Sequence, residues 1–541
     1  MATAELVTAV AAITLQIILS PIPEVSTIKI LSTYILVNLA AVAWSLRASI
    51  SADIPPPPSI AWLNLVFLST ATSWTVIHRL YFSPLASLPG PKRAAVSGIW
   101  AANQCRLGRS AAYLEEIHRK YNADIVRVGP NEVSIIDVEA IQNLYKGQYP
   151  RGYFYELRAS MGERNLNSER DYTHHGEWRR LWEKALSAKE LVNYDGRLQH
   201  HVEKFLRILK DSEGSDVNTI KLTERYQVDV IMDVLFSKDS KSQDRGEDTF
   251  LSYFVHKYLG IAGVIACLRN VGEILSCLPS APEAKAFKRE IEEIISERRM
   301  KAAPQKDFIH HFITSGPAGR QCTHEEVISN AQVAVIGGSD TALVTMNQTL
   351  RFLATNPAVQ AKLRAELDTI CNTGGELTVE STRKLPYLNG VLNEGVRLGN
   401  PAPVGLPVKT PPGGLQFGET YIPGNVEVKV PFWITLTDSR WFPQGDRFIP
   451  ERWTGEMPEL VRDRRAFTPF GYGVHSCVGK QLVTNELKIL IAKTVHEFNI
   501  LPGDQYDEDR FLQGTKDYMG ALLPALYLKF VPRVEGNRTS S

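Results

Sequence analysis

The stretch Phe470-Gly471-Tyr472-Gly473-Val474-His475-Ser476-Cys477-Val478-Gly479-Lys480 constrains this chain most, because three glycines crowd one cysteine just before a helix. The helix is predicted over Gln481 to Phe498, where Leu482, Leu487, Leu490, Ile491, Val495 and Phe498 recur at helical spacing. Glycine permits a tight, backbone-lined loop, and a helix N-terminus carries partial positive charge. The Cys477 sulfur is therefore expected to favour thiolate over thiol. A buried structural cysteine, a phosphate-cradling loop and half of a His-x-Cys metal site share these features. The phosphate reading lacks a Lys-Ser/Thr ending, and the metal reading lacks further clustered ligands. Taken alone, the loop leaves a structural and a functional cysteine open.

The other five cysteines, Cys105, Cys267, Cys277, Cys322 and Cys371, show no paired spacing and no CxxC. Neither a disulfide framework nor a zinc site is indicated, and a reducing compartment is expected for the main domain. Across 541 residues, 60 Lys+Arg balance 59 Asp+Glu to a net charge of +1, with 44% of residues apolar. That balance argues against a disordered chain and against a nucleic-acid partner.

The apolar residues cluster at the N-terminus. Three segments, Leu6 to Ile22, Ile30 to Leu46 and Ile60 to Ile77, approach the ~20 residues that span a bilayer. A cleaved signal peptide fits poorly, because Glu5 sits where a basic region belongs and the pattern recurs twice. His78, Arg79, Lys92 and Arg93 follow the third segment, which places the rest of the chain in the cytosol by the positive-inside rule. We read residues 1–80 as a membrane anchor with up to three spans (6–22, 30–46, 60–77). Residues 81–92, with prolines at 84, 89 and 91, read as a semi-rigid hinge, residues 93–533 as one large domain and residues 534–541 as a polar tail.

Two further motifs lie in the body. Thr323-His324-Glu325-Glu326 is a capping box, and apolar residues recur from Val327 to Leu353 until Asn356-Pro357 stops the helix. Inside that helix, Gly337-Gly338-Ser339-Asp340-Thr341 places two glycines where each costs ~1 kcal/mol. A close helix crossing would explain them, and so would a groove where small molecules meet the backbone. Glu394 and Arg397, three apart, share one helix face. They are either a surface pair or part of a buried network.

Together these motifs resemble the cytochrome P450 family. Phe470, Gly473, His475, Cys477 and Gly479 match its haem-loop signature, Gly337 to Thr341 its central-helix motif, and Glu394 with Arg397 its Glu-x-x-Arg. Arg452 in Phe448-Ile449-Pro450-Glu451-Arg452-Trp453 completes the network, and all four motifs stand in the family's order. The resemblance implies a mainly α fold with small β-sheets and an N-terminal transmembrane anchor. It implies haem b held by the Cys477 thiolate, in a loop formed by Phe470, Gly471, Gly473, His475 and Gly479. Thr341 would hydrogen-bond dioxygen and relay protons, with Asp340 leading to solvent. Glu394, Arg397 and Arg452 would hold the fold.

The pattern has departures. In His175-Gly176-Glu177-Trp178-Arg179-Arg180-Leu181-Trp182, Trp178 matches a propionate-holding tryptophan, but Trp182 stands where Arg or His is commoner. Arg179 or Arg180 would then supply the charge. Val408 replaces a propionate-binding Arg, so Lys409 is expected to substitute as a point charge. His475, where Arg is commoner, would carry a pH-dependent charge. The substrate pocket would draw on Tyr153, Phe154, Tyr155, Val335, Ile336, Val404, Leu406, Met519 and Leu522, which suits a lipophilic ligand.

The resemblance further implies a monooxygenase of the endoplasmic reticulum membrane facing the cytosol, of the fungal secondary-metabolism, tryprostatin-hydroxylase-like type. It would act on a terpenoid, alkaloid or polyketide skeleton. Electrons would come from NADPH through a flavoprotein reductase docking near Lys480, Arg464, Arg465 and Lys184. A reductase-independent isomerase or dehydratase, and a non-catalytic haem- or lipid-binding membrane protein, are the alternatives.

Overall fold

The computed structural model describes residues 2–19, 24–50, 59–159, 163–247, 254, 260–300, 306–405, 407–518 and 520–533. Leu406, Met519, the Pro55 to Pro58 run and the polar tail lie outside the described residues.

Three helices come first: α1 (Ala2–Leu19), α2 (Thr27–Ile50) and α3 (Ile60–Ile77). No residue of α2 or α3 is buried, and Leu36, Val37, Leu46 and Leu65 are exposed. Thr27–Ile50 and Ile60–Phe82 are long and apolar enough to cross a membrane, whereas the apolar stretch Ala4–Leu19 is shorter. α1 and α3 run side by side in the same direction, since Trp62 near the start of α3 donates to Glu5 near the start of α1 at 2.7 Å. α2 meets α3 through polar groups. Tyr34 donates to Asn64 at 2.6 Å and Asn64 to Asn38 at 2.5 Å.

The segment read as a hinge is strapped to the body. Arg127 on the first strand donates its side chain to the carbonyls of Arg79 (2.7 Å) and Pro130 (2.8 Å), and its amide to Pro89 (2.7 Å). A Cβ on Gly90 would stand 2.2 Å from the Arg127 carbonyl oxygen, so only glycine lets the two backbones approach. Leu85 is buried beneath the segment.

The body is mainly helical. A four-stranded sheet has the order β1 (Ile125–Gly129), β2 (Glu132–Ile135), β5 (Glu427–Lys429), β4 (Val408–Lys409). In it β2 and β5 are parallel with Glu132 opposite Glu427, and β4 is antiparallel with Lys409 opposite Glu427. A three-stranded sheet packs β3 (Asp216–Asn218) and β6 (Phe498–Pro502) on either side of β7 (Tyr527–Pro532). The helices that frame the site are α4 (Phe154–Ala159), α5 (Tyr172–Ala185), α6 (Ala188–Asp211), α7 (Thr219–Phe236), α8 (Arg269–Ser276), α9 (His324–Thr355), α10 (Pro386–Leu398) and α11 (Lys480–Glu497).

α9 is the axis of the body, 32 residues long, or about 48 Å at helical rise. Its predicted capping box forms. Glu326 donates its amide to Thr323 Oγ1 at 3.2 Å, and Thr323 returns its amide to the Glu326 carboxylate at 2.8 Å. α6, α7, α10 and α11 close around it through Phe205, Tyr226, Met346, Leu350, Val391 and Leu490, all fully buried. A second apolar cluster, with Trp178, Trp182, Phe308 and Phe312, joins α5 to the first half of α9.

Candidate active site

The loop before α11 is closed by its own backbone. The Cys477 amide donates to the Phe470 carbonyl at 2.8 Å and the Gly471 amide to Thr468 at 2.9 Å, with Gly471 at φ +70° and Gly473 at φ +69°. A side chain on Gly473 would collide with the Tyr145 carbonyl oxygen at 1.9 Å, so this glycine seats the loop on its neighbour. Cys477 is solvent-accessible as a residue, although its thiol is densely surrounded by protein. Burial pushes the thiol pKa up, opposed by the amides of Gly479 and Lys480 and by Arg179. The expected preference for thiolate is therefore corrected: desolvation outweighs the helix end. A coordinated metal ion would favour the thiolate here, because it deprotonates a ligating thiol.

Arg179 on α5 does not point away from this loop. Its guanidinium donates to the carbonyls of Val474 (3.0 Å) and Ser476 (2.7 Å) and to Ser476 Oγ (3.2 Å), while its Nε pairs with Glu183 at 2.7 Å. Arg179 thus holds the backbone on both sides of His475. Trp178 is buried in the apolar cluster beside it, and Trp182 donates its indole N–H to Asn330 at 2.8 Å, packed against Phe308.

His475 is engaged at both nitrogens. Arg151 Nε donates to its Nδ1 at 3.2 Å, so the proton sits on Nε2, which donates to the Tyr149 carbonyl at 3.0 Å. Burial, then the charge of Arg151, lowers its pKa to about 4, so the ring is neutral at physiological pH. The charge expected of His475 is supplied instead by Arg151. Arg151 also approaches His175 at 3.5 Å and stacks 4.5 Å over the Tyr155 ring. His175 is likewise neutral, its pKa lowered to about 3 by burial first and Arg151 second, and its ring meets that of His475 edge-on at 4.7 Å. Lys409, expected to act as a point charge here, pairs with Glu24 at 3.0 Å.

On α9 the two glycines have different neighbours. A Cβ on Gly338 would lie 2.6 Å from Ile231 Cδ1 on α7, which is the close crossing. A Cβ on Gly337 would meet nothing within 4 Å. Between Val327 and Ala354, only Gly337 and Thr341 are exposed, one turn apart on one face. The middle of a buried helix thus presents a narrow accessible stripe. Thr341 Oγ1 donates to the Gly337 carbonyl at 2.8 Å, which leaves its lone pairs directed to that stripe, and Asp340 beside it is buried.

The Glu394 carboxylate accepts three hydrogen bonds on Oε1, from Arg397, Arg452 and the Ile449 amide, and two on Oε2, from Arg397 and Trp453, all at 2.8 to 3.0 Å. Arg397 spends its other donors on the carbonyls of Leu436, Gly445 and Arg447, and Arg452 on those of Pro443, Gln444 and Leu460. All three charged side chains are completely shielded from solvent. This cluster ties α10 to the coil that leads into the Cys477 loop.

Among the described residues no group of three or more His, Cys, Asp or Glu side chains could hold a bare metal ion. A thiol beside the amides of Gly479 and Lys480, a guanidinium with two imidazoles at its edge, and an accessible stripe on α9 fit a flat, carboxylate-bearing macrocycle that a cysteine could ligate. Residues 89–527 match the sequence model of the family described as Cytochrome P450. The chain is a cytochrome P450. It is 30% identical over 467 residues to a cytochrome P450 monooxygenase, orf5, of Eupenicillium brefeldianum, covering 84% of this chain and 93% of that one. It is 28% identical over 467 residues to tryprostatin B 6-hydroxylase of Neosartorya fischeri, covering 84% of each. The crystal structure of cytochrome P450DA heme domain superposes with a TM-score of 0.69 at 17% identity, over 80% of this chain and 94% of that one. The protein is accordingly a P450 monooxygenase with the P450 fold, a family that implies haem-thiolate chemistry.

Sequence reasoning missed Arg151, His175 and Tyr149 in this P450. The one available signal was Pro150-Arg151-Gly152, a cation held between two turn-forming residues next to the aromatic run. Of the expected pocket residues, Val335 and Val404 are fully packed in apolar clusters, whereas Tyr153 and Leu522 are half-buried.

Proposed function

We propose that this P450 inserts one oxygen atom from dioxygen into a lipophilic secondary metabolite of terpenoid, alkaloid or polyketide type. Its electrons come from NADPH through a flavoprotein reductase. The accessible stripe of Gly337 and Thr341 inside a buried helix carries this reading, because a hydroxyl on an accessible face with an acid next to it is what proton delivery to dioxygen needs. Bound haem would supply dioxygen activation and oxygen insertion, with the second oxygen atom leaving as water. Cys477 would ligate it, steadied by the Gly479 and Lys480 amides, while Arg151 and His175 would hold its carboxylates. Thr341 Oγ1 would accept and pass a proton, and Asp340 would resupply it.

The relatives named tryprostatin B 6-hydroxylase support hydroxylation of such a metabolite. Apolar α2 and α3, together with exposed Val271, Ile274 and Leu275 on α8 beside α2 and Leu278 just after it, support a bilayer partner and a substrate arriving from it. We place the protein in the endoplasmic reticulum membrane with its body in the cytosol. Lys480, Arg464, Arg465 and Lys184 are exposed around the Cys477 loop and α5, which suits an acidic reductase surface.

The test is a reduced carbon monoxide difference spectrum followed by product identification in microsomes containing the reductase. We expect a thiolate-type Soret band and NADPH-dependent hydroxylated product. Absence of that band in folded protein overturns the monooxygenase reading. Turnover that needs no reductase replaces it with the isomerase or dehydratase alternative.

A further inference from the structure

Residues 24–26, just before α2, lie against the catalytic body. Glu24 receives Arg170 on both oxygens, at 2.5 and 3.1 Å, and Lys409 at 3.0 Å. Two residues on, Ser26 Oγ and the Thr27 amide donate to Glu273 on α8, the amide at 2.9 Å. The Glu24 site is built to take a carboxylate. Arg170 and Lys409 side chains are 14% and 12% exposed and Glu24 28%, so the charges meet largely out of water. Burial would raise the Glu24 pKa, but the two cations overcome it and bring it down to about 2.

From Glu24 a continuous route of polar contacts leads inward. Arg170 Nε donates to the Arg151 carbonyl at 3.0 Å. That peptide is bracketed by two β-type contacts, Gly152 amide to Pro407 carbonyl and Lys409 amide to Pro150 carbonyl, each 2.9 Å. The Arg151 side chain then reaches His475, two residues before Cys477. Without the Glu24 carboxylate, Arg170 would retain Glu156 at 3.2 Å and the more distant charge of Glu427, while Lys409 would lose its one ion pair among the described residues, with both cations still largely buried. Arg170 would be drawn to solvent and release the Arg151 carbonyl.

We propose that Glu24 is a positioning residue for the cofactor site, so that the anchor link acts as a clasp holding Arg151 in place through Arg170. The membrane segment is thereby part of the machinery that retains the cofactor. The proposal takes from the function above only that the Cys477 loop holds haem. The parent's spectrum tests that separately from the clasp.

The experiment uses the full chain in bilayer nanodiscs and follows haem transfer to an excess of a haem-scavenging apoprotein, with the propionate bending band in the resonance Raman spectrum as a second readout. Glu24→Gln and Arg170→Gln should each speed haem loss ~10-fold, as removal of an outer partner does elsewhere, and shift the propionate band. If Glu24 acts through Arg170, the double variant loses haem no faster than Arg170→Gln alone. Ser26→Ala, which breaks the neighbouring contact of the same link, should leave both readouts at parent values, and Glu24→Asp should restore the propionate band. A parent-like rate and band for Glu24→Gln overturn the proposal. So do multiplying effects in the double variant, and so does equal damage from Ser26→Ala, which would mean mere detachment of the link.

Discussion

Arg179 Nη1 donates to the Ser476 carbonyl at 2.7 Å, fastening α5 to the backbone one residue before Cys477. The same nitrogen reaches Val474, so one guanidinium spans the turn that aims Cys477. Lysine carries the same charge but lacks the planar fork. Arg179→Lys is expected to lose the Nη2 contact to Ser476 Oγ and the Nε contact to Glu183 that hold the group in place, at a cost of about 1–3 kcal/mol to the loop. The measurement is haem bound per protein after purification, which should fall well below the parent at equal yield of folded chain.

Removing the charge of Glu394 should be far more damaging. Its single negative charge is shared between Arg397 and Arg452 in an environment shielded from water. Glu394→Gln keeps the shape and leaves two buried cations uncompensated, a loss of about 3–5 kcal/mol. Thermal unfolding should show a large drop in Tm or no folded protein, and a parent-like Tm would contradict the network.

The paired glycines of α9 predict effects of opposite sign. Gly338→Ala presses on the Ile231 terminal methyl at 2.6 Å and should cost about 1–3 kcal/mol. Gly337→Ala meets open space and relieves a helical glycine, a gain of about 1 kcal/mol. Chemical denaturation distinguishes them. The second variant should also turn over poorly, because its methyl stands on the accessible stripe.

Thr341→Ala removes a hydroxyl that, among the described residues, bonds only the carbonyl one turn back. Stability and the reduced carbon monoxide spectrum should be unchanged. Product per NADPH consumed should fall by ~10-fold or more, with peroxide rising to match. Unchanged coupling would remove Thr341 from proton delivery.

Glu486 on α11 makes folding pH-dependent. Burial raises its pKa to about 8, against the opposing Gln227 amide at 2.7 Å. From its ordinary value of 4.5 up to about 8, the folded state binds a proton that the unfolded state has lost. Stability from this group therefore falls as pH rises through that window, by on the order of 1 kcal/mol per pH unit. Glu486→Gln should flatten this part of the profile and be the more stable protein at pH 8.

The Glu394 cluster was legible because its first pair is three residues apart on one helix, and Arg452 lies in its own motif. The chain positions of Cys477 and Thr341 were legible for the same reason, each sitting in a short local pattern. Arg151 was not legible, since it lies 324 residues from His475 and reaches it only because Pro150 and Gly152 pair with the strand at Pro407 to Lys409. The same register takes Lys409 to Glu24, a residue of the anchor that no spacing rule connects to it.

What the amino-acid order settled by itself was local: the capping box at Thr323, the stop at Asn356, and the tight loop feeding α11. Such features depend on neighbours within a turn or two of the chain. Which cation serves the site, that His475 is neutral, and that the Cys477 thiol is pushed up and not down were decided by the fold. Charge and desolvation act through space, and their balance at one sulfur depends on what distant segments bury beside it.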